Sequence, residues 1–255
     1  MDKKTKILIL NGSPHKEKST TMFAAAAFAG GIAEETGGEM EVINIADLNV
    51  RPCLGCLSCW GRTEGQCVIQ DDDIPEVKRK ILESDIIIES FPLYFFGMPG
   101  IVKVFTDRML SMIKTYEGQG VPRSGESAHG LRYPDPDKSF VLISSCAYTE
   151  TNMIYDPLKT QFDLICGAGE YTSLFFPQLK TLVDKGGSRK TRFETRIMEA
   201  GREFGRERTL SPESAARITK APFPQDVYKV IIENVWDEQR RRGSIVNADE
   251  AGNPS

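Results

Sequence analysis

Five short apolar runs, each closed by polar or turn-forming residues, set the first constraint on what this chain can become. They are Lys6–Leu10, Met40–Ile45, Asp85–Ser90, Ser139–Ser145 and Tyr171–Phe176. The first and fourth read as strands buried on both faces, the pattern of a parallel sheet, and the other three as further strands. Helical periodicity separates them. Ser19, Thr20 and Thr21 open a helix that Gly37-Gly38 closes, and Ile74, Val77, Ile81 and Leu82 mark one face of a second. Gly100–Lys114 carries Val102, Phe105, Met109 and Ile113 at three-or-four spacing, and Asn152–Cys166 continues the series. This alternation predicts an α/β fold whose five-stranded parallel sheet is covered on both sides.

Two regions stand outside the alternation. Thr115–Lys138 is rich in Gly, Pro, Ser and charge, and loops this long are functional or disordered. From Lys185 onward the chain turns polar and arginine-rich. A charged helix is predicted around Arg192–Arg206 and an amphipathic one from Gln225 to Arg240, with Val227, Val230, Ile231 and Val235 on its apolar side. Asn247–Ser255 is expected to fray. The 255 residues are therefore divided into a sheet domain over 1–184 and a helical C-terminal extension over 185–255.

Charge and patterning exclude several roles. With 32 Lys+Arg against 36 Asp+Glu the net charge is −4, which offers no general attraction to nucleic acid or anionic lipid. No apolar run approaches the ~18 residues of a membrane span. The start runs directly into the first strand without a signal-peptide pattern, so a cytoplasmic location is expected.

Chemistry concentrates in three places. The first is Gly12-Ser13-Pro14-His15-Lys16-Glu17-Lys18-Ser19-Thr20-Thr21, between the first strand and the first helix. An anion is favoured there, because helix N-terminal amides point outward and the dipole attracts negative charge. Ser13, Ser19, Thr20 and Thr21 add hydroxyls, and His15, Lys16 and Lys18 add charge. Neither the dinucleotide fingerprint nor the P-loop pattern is present. A hydroxyl-rich loop suits a monophosphate, although the same residues also make an ordinary capped turn. The second place is the turn Pro92-Leu93-Tyr94-Phe95-Phe96-Gly97-Met98 after the third strand. A doubly wound sheet binds ligands at this switch point, and the turn's aromatic side chains can stack on a flat ring.

The third is a cysteine cluster. Cys53, Cys56, Cys59 and Cys67 follow a CxxCxxCx₇C pattern, with Cys146 and Cys166 far away and read as small buried hydrophobes. The compact spacing suits an iron–sulfur centre such as [4Fe–4S]. Four thiolates could equally hold zinc, though structural zinc takes them as two separated pairs. Metal-free thiols are the third alternative.

The segments Ile9–Pro14 with Ser19-Thr20, Ser90–Gly100, and Lys103 with Asp107-Arg108 together resemble the flavodoxin-like NAD(P)H-dependent FMN reductases, in the same order along the chain. The resemblance spans about Lys6–Leu179 and implies strand order 2-1-3-4-5. It implies FMN with its phosphate on Ser13, His15, Ser19, Thr20 and Thr21. It places the flavin ring beside Pro92, Leu93, Tyr94, Phe95, Phe96, Gly97 and Met98. After the fourth strand Ser144-Ser145-Cys146-Ala147-Tyr148 departs from the glycine-containing loop of many relatives, and Ser145 can still supply a hydroxyl there. The cysteine spacing before Asp71-Asp72 is similar to that of iron–sulfur flavoproteins, a branch of the same family.

The function implied is an FMN-dependent oxidoreductase. It would take a hydride from NAD(P)H and pass electrons to a quinone, nitro compound, flavin or protein acceptor. The cofactor carries the chemistry, so no side chain is named as catalytic. Two other readings stand beside it: an electron carrier exchanging electrons with ferredoxin through a [4Fe–4S] centre, and a thiol-based redox sensor. The resemblance also implies a homodimer or homotetramer.

Overall fold

The computed structural model describes residues 4–115, 126–127 and 129–242. Strands β1 (Lys6–Asn11), β2 (Glu39–Asn44), β3 (Ile86–Pro92), β4 (Ser139–Cys146) and β5 (Thr172–Pro177) form one parallel sheet. Its order is β2-β1-β3-β4-β5. This is the flavodoxin-like arrangement, and all five apolar runs contribute a strand.

Eight helices accompany the sheet among the described residues: α1 (Thr20–Thr36), α2 (Ile74–Glu83), α3 (Gly100–Arg108), α4 (Asp156–Cys166), α5 (Leu179–Lys185), α6 (Gly187–Glu207), α7 (Pro212–Thr219) and α8 (Gln225–Arg242). Alternation along each strand sorts side chains to two faces. Ile7, Ile9, Ile86 and Ile88 pack with α1, α5 and α6. Leu8, Leu10, Ile87 and Phe91 pack with α2, α3 and α4.

Several boundaries differ from the sequence pattern. α3 closes at Arg108 and tightens into a 3-10 turn over Met109–Met112, so the predicted helix to Lys114 is shorter. α4 starts at Asp156 rather than Asn152, with Pro157 in its first turn, where a missing amide costs nothing. Leu82 is exposed, unlike Ile74, Val77 and Ile81. The charged helix α6 begins earlier than Arg192, and the short helices α5 and α7 had no counterpart in the pattern. Asn247–Ser255, and residues 116–125 and 128 of the 115–138 loop, lie outside the described residues.

The first long helix of the C-terminal extension packs on the sheet's own helical layer. A Cβ at Gly31 would stand 2.0 Å from the Met198 carbonyl oxygen, and one at Gly201 would stand 2.1 Å from that of Phe28. Only glycine permits α1 and α6 to approach so closely. Phe28 and Phe204 meet across the same seam at 5.5 Å, and Arg202 and Arg206 pair with Glu34 and Glu35 at its rim.

Candidate functional site

The β1–α1 loop is held by a short polar chain. Buried Asn11 accepts from the Ser13 amide through Oδ1 and donates to Asn44, which in turn donates to Glu17. The Gly12 amide donates to the Ser90 carbonyl at 2.7 Å, and a Cβ on Gly12 would collide with Val102, so the loop lies flat against β3. Ser19 caps α1, its hydroxyl accepting from the Thr21 and Met22 amides. The Thr20 amide has no acceptor among the described residues, one of the orphan donors that a helix start leaves.

The predicted phosphate residues divide into groups. Ser13 and Ser19 are buried in the loop, Thr20 is half-buried, and His15 is exposed. Thr21 is fully buried and its hydroxyl bonds that of Ser145 at 2.5 Å, tying α1 to the end of β4. Lys16 pairs with Asp47, so its charge is balanced at the end of β2 and directed away from the loop. The hydroxyl of buried Ser90, at the end of β3, has no partner among the described residues. Sequence reasoning missed this group because it sits inside a strand.

The turn after β3 is a two-residue hairpin. The Tyr94 and Gly97 amides each donate to the other's carbonyl at 3.0 Å. Phe95 and Phe96 occupy the left-handed region at φ 48° and 66°. Two bulky residues there store strain of about 1–3 kcal/mol each, a feature that clusters at ligand clamps. Phe95 is 98% exposed. Phe96 lies 5.9 Å from Phe95 and 6.0 Å from Tyr148 of the loop after β4. The Leu93 amide donates to the Ser145 carbonyl at 2.9 Å, which joins the two loops. The Gly97 amide is engaged with Tyr94, leaving the Phe96 and Met98 amides without acceptors among the described residues.

The C-terminal extension reaches the same edge. Gln178, buried and at φ 55°, donates its amide to the Cys146 carbonyl and accepts from the Phe223 amide. Tyr228 of α8 donates to the Ala147 carbonyl at 2.7 Å. Nothing local in the sequence signals these contacts.

These features fit a phosphorylated flat cofactor. A helix start with a free amide, an orphaned buried hydroxyl and an exposed aromatic platform lie at the carboxyl ends of adjacent strands.

The cysteine loop leaves the β2 side and returns to α2 through a clasped neck. Asp73 accepts from the Asn49 amide, Asp72 from that of Arg51, and Asp71 pairs with the Arg51 guanidinium. Arg108 of α3 reaches into the neck with its side chain fully buried. It pairs with Asp72 and donates to the carbonyls of Arg51 at 2.8 Å and Ile69 at 3.1 Å. Lys78 donates to the Gly65 carbonyl and the Ser111 hydroxyl, and Arg132 pairs with Glu64 over the loop.

Within the loop, burial pushes the Cys59 thiol up, and Cys67, Cys53 and Cys56 add to the effect. Cys59 therefore feels the other three sulfurs. The Ser58 side chain and amide hold the Cys56 thiol below its ordinary value. Amides of Gly55 and Ile69 donate to the Cys53 and Cys67 sulfurs at 3.5 Å. An all-thiol donor set surrounded by amides and cations suits an anionic cluster. Among the described residues, however, no three of His, Cys, Asp and Glu stand in positions to hold a metal ion as the loop is folded. The six cysteines are free; Cys146 and Cys166 are half-buried against the α2–α4 core.

Comparison with known proteins follows the same residues. Residues 5–121 match the family model for NADPH-dependent FMN reductase. An iron–sulfur flavoprotein of Methanocaldococcus jannaschii is 41% identical over 103 residues, covering 40% of this chain and 51% of that protein. One from Archaeoglobus fulgidus is 38% identical over 103 residues, covering 40% and 48%. The chain spans about half the length of these curated relatives. Among solved structures, an NAD(P)H:quinone oxidoreductase from Methanothermobacter marburgensis aligns with a TM-score of 0.57 at 21% identity, covering 79% of this chain and 96% of that one; it confirms the fold. Among the described residues no helix is long and apolar enough to cross a membrane. Residues 5–121, which carry the hydroxyl loop, the cysteine motif and the aromatic turn, are thus the part of the chain that matches the NADPH-dependent FMN reductase family model, and the same part of the sequence is similar to iron–sulfur flavoproteins.

Proposed function

We propose that this protein binds FMN at the carboxyl ends of β1, β3 and β4 and works as an NAD(P)H-dependent oxidoreductase. Its acceptor would be a quinone, nitro compound, free flavin or protein. The observation that carries this reading is the meeting of the hydroxyl loop, the orphaned Ser90 hydroxyl and the strained aromatic turn along one sheet edge. FMN, when bound, supplies hydride acceptance from the nicotinamide and onward delivery of the electrons.

The chain's own groups do the positioning. Ser13, Ser19, the Thr20 amide and the α1 dipole hold a phosphate dianion mainly through neutral donors, with His15 at the rim. Thr21 acts through Ser145, fixing the β4 loop relative to the helix start. Phe96 and Tyr148 offer ring faces, while Pro92, Leu93, Tyr94 and Met98 shape the turn beneath them. The free Phe96 and Met98 amides are placed to donate to negative charge developing at a ring edge. The fully exposed Phe95 is suited to contact a second subunit, and a homodimer or homotetramer is the proposed assembly.

FMN should bind about a hundredfold more tightly than riboflavin, the equivalent of about 3 kcal/mol for charge-assisted bonds to its phosphate. Fluorescence titration of both ligands measures this directly. Equal affinities would remove the phosphate assignment.

A second reading has its own support. Cys53, Cys56, Cys59 and Cys67 lie on one loop in which burial and the other three cysteines raise the Cys59 thiol, and the loop's neck is pinned by Arg108. They are the residues that would hold a [4Fe–4S] centre, giving an electron carrier serviced by ferredoxin. Protein purified without air should then contain close to four iron and four sulfide per chain, in keeping with four-cysteine ligation of such a cluster. Cys59→Ala should abolish the iron and leave FMN bound, since the flavin residues lie on other loops. Full flavin content without iron or sulfide under those conditions would leave the thiols metal-free and the reductase reading alone.

A further inference from the structure

The arginines of α6 and α7 fall into two classes. Arg202, Arg206 and Arg217 each pair with a glutamate. Arg189, Arg192 and Arg196 have no ion pair among the described residues, nor does Lys220. These four groups, with Arg217, line one cavity of about 320 Å³ between α5, α6 and the segment after α7. Its apolar part is formed by Leu182, Phe193 and Pro222. A neighbouring hollow adds Lys185, and the Arg189 guanidinium lies 5.1 Å from the centre of the Phe223 ring.

This arrangement is unfavourable for an empty surface. Arg189, Arg192 and Arg196 recur at i, i+3 and i+7, so three like charges share one helix face, a spacing that destabilises a helix on its own. A shortage of acids does not explain it, because the chain carries more carboxylates than cations. The same helix pairs its later arginines with α1. Planar guanidinium forks match phosphate oxygens two at a time. The cavity volume lies at the low end of the ~300–1,000 Å³ range typical of small-ligand sites. The apolar side calls for an organic body beside the anionic groups, and Phe193 is buried there as part of the core, so that side is rigid.

We propose that the α5–α6–α7 cavity is a second binding site, taking a small organic di- or triphosphate. Its phosphates lie among Arg192, Arg196 and Lys220, and its organic body lies against Phe193 and Pro222. The site shares no residue with the hydroxyl loop or the aromatic turn and does not depend on how those are used.

The test is calorimetric titration of FMN-supplemented protein with ADP, inorganic pyrophosphate and adenosine at low and high salt. ADP is expected to bind once per chain and pyrophosphate more weakly, with adenosine not binding. Raising the salt from 50 to 500 mM should weaken ADP by about tenfold or more, as for any interaction dominated by exposed charges. Arg192 and Arg196 are exposed, so the double substitution Arg192→Ala with Arg196→Ala should keep the fold and lose at least tenfold in ADP affinity. Lys220→Glu, on a different segment, should do the same, while Ser13→Ala in the hydroxyl loop should leave ADP binding unchanged. The proposal is overturned if the wild-type protein binds neither ADP nor pyrophosphate at millimolar concentration. It is equally overturned by adenosine matching ADP, or by the double variant and Lys220→Glu both retaining wild-type affinity.

Discussion

Arg108→Leu should lower the stability of the cysteine-loop neck by about 3–5 kcal/mol, the usual cost of leaving one member of a buried ion pair uncompensated. Asp72 would be stranded, because its side chain and that of Arg108 are both at 0% exposure. The Arg51 and Ile69 carbonyls would lose their donor in the same step. The damage should be local first: amide exchange should accelerate over 49–73 while β1, β3 and β4 remain protected. Replacing both residues, Arg108→Leu with Asp72→Leu, should recover much of the global stability, since an apolar pair avoids the stranded charge. It should not restore loop protection, because the two carbonyls still lack a partner. Urea unfolding and hydrogen exchange on the three proteins check this, and a single variant within about 1 kcal/mol of wild type would refute the clamp.

The same pair has an acid signature. Burial alone would raise the Asp72 carboxyl, but the Arg108 hydrogen bond and the Arg51 and Ile74 amides outweigh it and hold the group below its ordinary value. A depressed carboxylate stabilises the fold above its unfolded pKa, and that contribution is lost as pH falls through the folded value. The neck should therefore loosen only below about pH 4, the ordinary aspartate range.

How much of this was legible from residues alone follows physical lines. The strands were readable because apolar runs such as Ile86–Ile88 are buried on both faces and carry their own signal. The hydroxyl loop was readable because cap and turn chemistry is local. Local pattern failed where partners are distant. Nothing in Asp71-Asp72-Asp73 itself shows its partners, yet each residue clasps a group about twenty positions earlier. Lys16 reads as a cation for the loop until Asp47 is seen to hold it. The glycines at 31 and 201 make sense only once α1 and α6 cross, and the reach of Gln178 and Tyr228 to the β4 loop is set by the same packing. Ser90 and Glu89 were hidden differently: both sit inside an apolar run, where a polar residue looks like noise in the pattern.

Glu89 supplies the second large effect. It lies on β3 between Leu10 and Leu142, on the face shared with Ile87 and Phe91, and its Oε1 has no hydrogen-bond partner among the described residues. Burial pushes its carboxyl up to about 7, and its charge adds to the burial that drives the nearby Cys166 thiol to about 12. A carboxyl raised in the folded state favours folding while it is protonated in both states. Stability should be fully present below about pH 4.5, fall as pH rises, and level off above about 7. The total loss is about 3 kcal/mol, since each tenfold gain in proton affinity on folding is worth about 1.4 kcal/mol. Glu89→Gln keeps the shape and removes the ionisation. The two proteins should have similar stability at pH 4.5, and the variant should be the more stable by about 3 kcal/mol at pH 8. Urea midpoints measured at pH 4.5, 6 and 8 isolate this group, because every other titration is common to both proteins. A constant difference across that range would mean that Glu89 finds a partner in solution and stays ionised throughout.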